Sequence, residues 1–519
     1  MSDHACPPRR LMRLLCLLAC FVALLLSGRV ASADDVKQHL DKAVALYDGK
    51  KLDEALEEFE TARKLAPSDP TILNWIGFIQ LQRQRYAEAL EPLEQAVKLQ
   101  PDSIPTHTNL GNVYFGLNRF SDAAREFEAV AKLQPKSADA YHNLSNAYYK
   151  LGRLPEAVAA SRRAAALRPN DAYEQLNLGF VLQASKNYAE AVAAYRKATK
   201  RMPNQAEFWL NLGLGAQDLA RQAQAQPGAA GKAQAAKAQE EARSAFARAV
   251  QLAPNSYQVR EVYGEALADM NRHAEAAAQF EKAAQLDPKQ FNPLFNLGNA
   301  QTRLGRLSQA ASAYRRALAI QPNHRESLSN LGLIEFKLGK YEEAAQTFKT
   351  LTQAAPNNVK AWINLSASLQ SKGDAEGAMA ALEEALKQNP TGPGAAELRR
   401  ALAGQYFRKG SPDSLKRAEE EYTRSLQDAP ENPEALNGLA LVTQKQGKLD
   451  EAIGLFKRAV ALDPRYADAL NNLGVAYELK GETELAVANY RKALQADPKN
   501  ALARRNLDRF EKPARAAGK

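Results

Sequence analysis

Thirteen prolines divide this chain at near-constant intervals: Pro67, Pro101, Pro135, Pro169, Pro203, Pro254, Pro288, Pro322, Pro356, Pro390, Pro430, Pro464 and Pro498. Ten of the twelve intervals are 34 residues, and the other two are 51 and 40. A period of that length marks a supersecondary unit that cannot bury its apolar face alone and must stack on its neighbours. It overrides what length suggests, since 519 residues would otherwise divide into roughly three compact domains. It also bears on function, because stacked hairpins form a long groove more readily than an enclosed catalytic pocket.

With the proline set at position 32, a small residue occupies position 8 of all thirteen units, as at Ala43, Gly77, Gly111, Ser145, Gly298 and Gly474. Position 20 is alanine in every unit, from Ala55 to Ala486, and position 24 is Phe or Tyr in ten. Helical periodicity puts positions 4, 7, 8 and 11 on one face of a first helix, and 20, 24 and 27 on one face of a second. Small residues let the two backbones approach where they cross, and the aromatic fills the space beside them. The proline ends the second helix because it has no N–H to continue the ladder. Asp69, Ser103, Asp171 and Ser256 follow their prolines and suit the N-cap of the next helix.

This pattern resembles the tetratricopeptide repeat family, most plainly in Leu470, Leu473, Gly474, Tyr477, Ala486, Tyr490, Ala493 and Pro498 of the last unit. The resemblance covers residues 36 to 500. It implies an all-α fold: a right-handed superhelical solenoid of about 13 helix-turn-helix repeats with a C-terminal capping helix. The first unit departs most, with Lys42 where a core leucine is expected. Residues 501–511 read as the cap, with Leu502, Leu507 and Phe510 facing inward, followed by a basic tail to residue 519.

The N-terminus is of another kind. Arg9, Arg10 and Arg13 precede an apolar stretch from Leu14 to Leu26, then Ala31-Ser32-Ala33 and Asp34-Asp35. A positive start, a short apolar core and small residues before a polar segment describe a secretory signal over residues 1–33. Three fates stay open: cleavage after Ala33, lipidation at Cys20, or retention as an anchor. Each predicts an exported protein, in the periplasm or associated with the envelope, meeting the membrane only through this leader. All three cysteines (Cys6, Cys16, Cys20) lie within it, so a chain cut after Ala33 needs no disulfide. Without the leader's four arginines and one aspartate, 65 basic residues face 58 acidic ones, a net +7. Over so large a surface that is a mild bias and predicts no nucleic-acid partner.

Two interruptions divide the array: repeats 1–5 (36–205), repeat 6 (206–256), repeats 7–10 (257–392), repeats 11–13 (393–500), then the cap and tail (501–519). Repeat 6 carries an Ala/Gln-rich insertion around Arg221 to Gln239, with Pro227-Gly228 and Gly231 predicting a turn between two lengthened helices. Repeat 11 follows Pro390, Gly392, Pro393 and Gly394 and holds Ser411-Pro412-Asp413 in its turn, which makes it the expected hinge.

No phosphate loop, HExxH or paired cysteines occur after the leader, and the reading is of a non-enzyme with no catalytic residue, cofactor or metal. His107 and His142 occupy adjacent positions in consecutive units and could approach each other, without a third ligand nearby. Carboxylates are expected on outer helix faces. The most informative constellation is an asparagine register at position 6: Asn109, Asn143, Asn177, Asn211, Asn296, Asn330, Asn364 and Asn472, eight of thirteen units. Asparagine costs about 0.5 kcal/mol or more in a helix against alanine, so its recurrence asks for a compensating contact. Asn112, Asn146 and Asn299 lie three residues on and widen the strip.

The register is similar to the asparagine ladder in the superhelical repeat domain of O-linked N-acetylglucosamine transferases. That similarity implies amides holding the backbone of an extended peptide in the concave groove, with Trp75, His142 and Phe295 supplying selectivity. A second role is open at this point: asparagines that join neighbouring repeats. No glycosyltransferase domain follows. The family's carboxylate clamp is also missing, since Thr108, His142, Leu176 and Phe295 stand where it places lysine. The register breaks at Val262, Ala401 and Gly438, leaving repeats 3–6 and 8–10 as continuous tracks. The expected function is a protein–protein interaction scaffold or adaptor of the bacterial cell envelope, binding extended segments or envelope complex components. The alternative is a substrate-presenting subunit of a glycosyltransferase or of a polysaccharide or secretion machine.

Overall fold

The computed structural model describes residues 33–511. The leader with its three cysteines, and the tail cations Lys512, Arg515 and Lys519, lie outside these residues. Every element among them is an α-helix, 27 in all, and the chain divides into two compact units at Pro254/Asn255.

The first unit holds six hairpins: α1 (Ala33–Asp48) with α2 (Leu52–Leu65), α3 (Pro70–Gln82) with α4 (Tyr86–Leu99), and α5 (Ile104–Gly116) with α6 (Phe120–Leu133). Then come α7 (Ala138–Lys150) with α8 (Leu154–Leu167), α9 (Ala172–Ala184) with α10 (Tyr188–Arg201), and α11 (Ala206–Gln224) with α12 (Ala229–Leu252). The second unit begins with α13 (Tyr257–Asp269) and α14 (His273–Leu286), α15 (Phe291–Arg303) and α16 (Leu307–Ile320), and α17 (Arg325–Lys337) and α18 (Tyr341–Ala354). It continues with α19 (Val359–Lys372) and α20 (Ala375–Gln388), α21 (Gly392–Lys409) and α22 (Pro412–Asp428), and α23 (Pro433–Lys445) and α24 (Leu449–Leu462). The hairpin of α25 (Ala467–Leu479) and α26 (Thr483–Ala496) and the single helix α27 (Ala501–Glu511) complete it.

The period shows directly in the packing. All thirteen position-20 alanines are 0% exposed. A side chain added at Gly111, Gly179, Gly298 or Gly332 would put its Cβ within 2.4–2.7 Å of the ring at position 24 of the same hairpin (Phe127, Tyr195, Tyr314, Phe348). The missing side chain is thus the socket for the aromatic ring. Each second helix ends two residues before its proline, as at Leu65 before Pro67 and Leu99 before Pro101. The sharp turn inside the hairpin demands one left-handed residue. Gly152, Gly305 and Gly339 meet it with φ of 72–74°, but Lys50, Gln84, Asn118, Lys186 and Asn271 adopt φ of 59–62° at some conformational cost. Asp69, Asp171 and Ser256 cap their helices through backbone N–H groups, whereas Ser103 hydrogen-bonds the Thr106 hydroxyl instead.

Lys42 stays out of the first hairpin's core and pairs with Glu58 at 2.6 Å. In the insertion, α11 and α12 run 19 and 24 residues. Their added turns close on Ala223, Ala235 and Ala238, small enough to bring the backbones together. Only Gly228 makes the turn, with φ of 98°. Gly231 lies within α12, where a Cβ would meet the Gln226 carbonyl oxygen at 2.7 Å, so it serves close approach and not the turn expected of it. The extra residues of repeat 11 lengthen α21 and α22, and Ser411 becomes the N-cap of α22. Arg399 of α21 ties the two helices of this hairpin together through Glu421 and Asp428 of α22, both at 3.2 Å.

The cap corrects one expectation. Leu507 and Ala503 face the preceding hairpin, but Leu502 is 62% exposed and Phe510 only leans on Tyr490, ring to ring at 6.3 Å. A helix of 11 residues that covers one neighbour buries a narrow i, i+4 stripe, and Leu502 falls outside it.

Candidate functional site

All eight register asparagines are half-buried on the first helices of their hairpins. Several bind the preceding repeat. Asn109 donates from Nδ2 to Asn74 Oδ1 at 3.0 Å, and Asn472 does the same to Asn437 at 3.0 Å. Asn506 on the capping helix repeats the contact with Asn471 at 2.9 Å, extending the register beyond the sequence count. Asn296 reaches Glu265 at 3.3 Å, and Asn330 reaches the Tyr314 hydroxyl at 3.2 Å and Asn299 Oδ1 at 3.5 Å. Asn177 reaches Ser161 at 3.5 Å, while Asn211 turns back to its own helix, donating to the Glu207 carbonyl at 2.9 Å. Asn112, Asn143, Asn146 and Asn364 make no side-chain hydrogen bond among the described residues. The amides therefore join repeats, yet each carries two N–H donors and one oxygen, so even the bonded ones keep hydrogen-bonding capacity.

The structure brings three of these asparagines together at two adjoining cavities of the second unit. One, of about 550 Å³, is lined by Glu265, Asp269, His273, Asn296, Asn299 and Arg303. The other, of about 570 Å³, is lined by Phe295, Asn299, Arg303, Asn330, Leu333 and Lys337. Asn299 and Arg303 border both. Phe295 is held by stacking on Phe291 and by His324, with centroids at 5.6 and 5.1 Å. Leu333 stands 41% exposed in the second cavity, an apolar side chain without a cover. Of the other residues expected to give selectivity, Trp75 lies stacked on Phe59 at 5.4 Å in the first unit. His142 is tied to Glu174 at 3.1 Å.

The charges of this groove were missed in the sequence. Glu261, Glu265 and Asp269 recur at i, i+4 and i+8 on α13, and Arg303 and Lys337 hold the Asp269 position on α15 and α17. Burial raises the Glu265 pKa and the nearby Glu261 charge adds to it, while the hydrogen bond from Asn296 opposes the rise. Burial likewise raises Glu261, against the hydrogen bond from Asn292. Arg303 and Lys337 have no ion-pair partner among the described residues. The two cavities thus set Glu265 and Asp269 of α13 against Arg303 of α15 and Lys337 of α17, with Glu326 of α17 also lining the second. The positional register at 5, 9 and 13 was the available signal.

Two other expectations change. Glu335 and Glu174 do not lie on outer faces. Glu335 is 1% exposed, accepting from Arg315 at 2.6 Å and from the Thr347 hydroxyl at 2.7 Å. His107 and His142 do not pair with each other, because each has a carboxylate of its own. Among the described residues no three metal-ligating side chains converge.

His107 yields a prediction. Its Nδ1 faces a Glu126 carboxylate oxygen at 2.6 Å and its Nε2 the Pro101 carbonyl oxygen at 2.8 Å. Both partners accept, and only the protonated ring donates from both nitrogens. The hydrogen bond to Glu126 accordingly raises the His107 pKa, more than burial lowers it. A raised folded-state pKa means stability fully present below the ordinary histidine value of about 6.5 and lost as pH climbs through the folded value. Urea unfolding of the protein should show the first unit less stable at pH 8 than at pH 6, and His107→Gln should reduce that difference, leaving the part due to His142, whose pKa the hydrogen bond to Glu174 also raises. An equal slope in the variant would place the dependence elsewhere.

Sequence models of the tetratricopeptide repeat match residues 40–104, 108–172, 295–359 and 443–501, with further repeat models at 175–205, 264–305 and 335–402. A search of curated proteins finds no match. Among solved structures, the chain is similar to the "APC/C hetero-tetramer Cut9-Hcn1" at 13% identity, covering 86% of this chain and 98% of that one, with a TM-score of 0.36. It is similar to yeast Tom70 at 17% identity over 91% and 98% of the two chains, TM-score 0.31. A tetratricopeptide repeat protein from Parabacteroides merdae matches at 18% identity over 49% and 97%, TM-score 0.38. With repeat models spanning most of the array and helical hairpins in the same register, the chain belongs to the tetratricopeptide repeat family.

Proposed function

We propose that this protein is a non-enzymatic interaction scaffold that seats an extended polypeptide segment in the groove of its second unit. The observation that carries the reading is the pair of adjoining cavities on α13, α15 and α17, sharing Asn299 and Arg303 and lined by Asn296 and Asn330. Amides that can donate and accept match the alternating N–H and C=O of an extended backbone, while Phe295 and Leu333 offer apolar contact between them. The charged N-terminus and apolar stretch up to Ala33 favour work outside the cytoplasm, in the periplasm or at the envelope.

The test is in-cell crosslinking from a photoreactive residue replacing Leu333, whose exposure spares the packing, with mass spectrometry of the product. The expected product joins position 333 to one linear segment of a partner. Asn296→Ala should weaken that partner's binding about tenfold, the size of one or two net hydrogen bonds. Crosslinks obtained only from the hairpin tip at Pro227, with none from 333, would make the groove architecture and the tip the binding site.

A further inference from the structure

The acids of α13 exceed what holding a peptide backbone requires, and they bear on which segment the groove takes. Three rows cross it, at positions 5, 9 and 13 of α13, α15 and α17. They read Glu261, Phe295 and Ser329; Glu265, Asn299 and Leu333; and Asp269, Arg303 and Lys337. The α13 member of every row is an acid, and the other two helices contribute none to these rows. Glu326 also lines the second cavity, but it lies in the first turn of α17 and Lys337 in the last. At 1.5 Å per residue the two stand about 16 Å apart along the axis.

Helix physics accounts for the cations and not for the acids. Arg303 and Lys337 are the last residues of α15 and α17, and Asp269 is the last of α13. The helix dipole favours a cation at a C-terminus and disfavours an anion there. Glu261 and Glu265 are like charges at i and i+4, a spacing that destabilises a helix. Neither has an ion-pair partner among the described residues. Glu261 accepts from the Asn292 amide and Glu265 from Asn296 at 3.3 Å, both on α15. Arg303 borders the same cavity as Glu265 without pairing with it. Burial and then the Glu261 charge raise the Glu265 pKa, as happens to carboxylates set close together without a cation between them. A cation brought by a ligand would offset these costs.

We infer, resting on the groove reading above, that the seated segment carries a lysine or arginine side chain where it lies over α13, held by Glu261 and Glu265, and no cation where it passes Arg303 and Lys337. The asparagines accept any backbone, whereas the α13 carboxylates select a side chain. Arg303 and Lys337 repel a second cation, so the charges also set which end of the segment lies on α13.

Selection of a bead-displayed library of random peptides on the full chain tests this. Selected peptides should share one Lys or Arg near one end. A synthetic peptide of their consensus should lose about fivefold in affinity when that residue becomes Gln, the upper end for an exposed ion pair. Glu265→Gln should weaken the basic peptide by the same factor and leave its Gln version unaffected, the coupling expected of a direct contact. The variant keeps an acceptor for Asn296, so its ligand-free thermal midpoint should stay equal or rise as a repulsion is removed. A lower midpoint would mean that the fold itself uses the charge, against the inference. A second lysine at the other end of the peptide should weaken binding, and stronger binding counts against it equally. Peptides that depend on Asn296 but share no basic residue overturn the inference and leave the groove standing. So does a basic residue indifferent to Glu261→Gln and Glu265→Gln. Peptides that bind regardless of Asn296→Ala and fail to crosslink at position 333 remove the groove reading, and the basic residue with it; selection of no peptide does the same. Tight binding of spermidine with no peptide selected would make the acids a small-cation site instead.

Discussion

Replacing Phe348 by alanine should destabilise the second unit by about 3–5 kcal/mol, the usual cost of truncating a buried phenylalanine. The ring is 1% exposed, and a Cβ on Gly332 would come within 2.7 Å of it. Its neighbours Ala344, Ala345, Leu351, Ala361 and Leu365 are fixed in the same cluster. The face of the hole at Gly332 has no side chain to move into it, so any relaxation must come from Leu351 and Leu365 of the same cluster, and the cost depends on how far they can shift. In a stack where each hairpin touches only its neighbours, the damage should begin locally. Urea unfolding should show a lower midpoint for the second unit with the first unchanged. Hydrogen exchange should accelerate first in α17, α18 and α19. A loss under about 1 kcal/mol, far below the expected cavity cost, would show that the ring contributes little to holding the hairpins together.

The second large effect concerns a break in the asparagine register. Restoring the missing residue by Gly438→Asn should cost about 1–3 kcal/mol, as overpacking does. A Cβ at position 438 would fall 2.3 Å from Tyr422 Cζ. Elsewhere the ring at position 24 fills the socket of its own hairpin. In the lengthened hairpin of α21 and α22 the Tyr422 ring instead fills the site of the next hairpin's register residue. The gap therefore arises from the interruption in the ruler. In a Tyr422→Ala background the same substitution should be nearly neutral, a coupling of at least about 0.5 kcal/mol between residues in contact. Thermal unfolding of the four proteins of that cycle measures it. Additive losses would mean that the glycine is kept for another reason.

Much of the architecture was legible because its causes are local and periodic. Proline at 32, alanine at 20, an aromatic at 24 and a small residue at 8 recur in sequence, and helical spacing alone puts them on facing sides. The misreadings have a common origin. Leu502 obeys the apolar pattern of a capping helix, but α27 covers only one neighbour, and Leu502 points away from it. Carboxylates were assigned outward from composition, whereas Glu335 is buried because Arg315 and Thr347 receive it. The left-handed turn residue escaped notice because lysine, glutamine and asparagine fill it in five hairpins where glycine would have announced it.

The asparagine register divides the two levels of description. Sequence located the amides on one face of the first helices. It left open what they bind, because that depends on the residue 35 positions earlier for Asn109, Asn472 and Asn506, and on Glu265 or Tyr314 for Asn296 and Asn330. The meeting of Glu265 and Asp269 with Arg303 and Lys337 arises in the same way. By itself the sequence determined the repeat, the hairpin and the core, since a 34-residue period dictates which positions meet. Only the tertiary structure decided which polar groups are spent between repeats and which remain for a ligand, because hydrogen bonds and ion pairs depend on the particular side chains that stacking brings together.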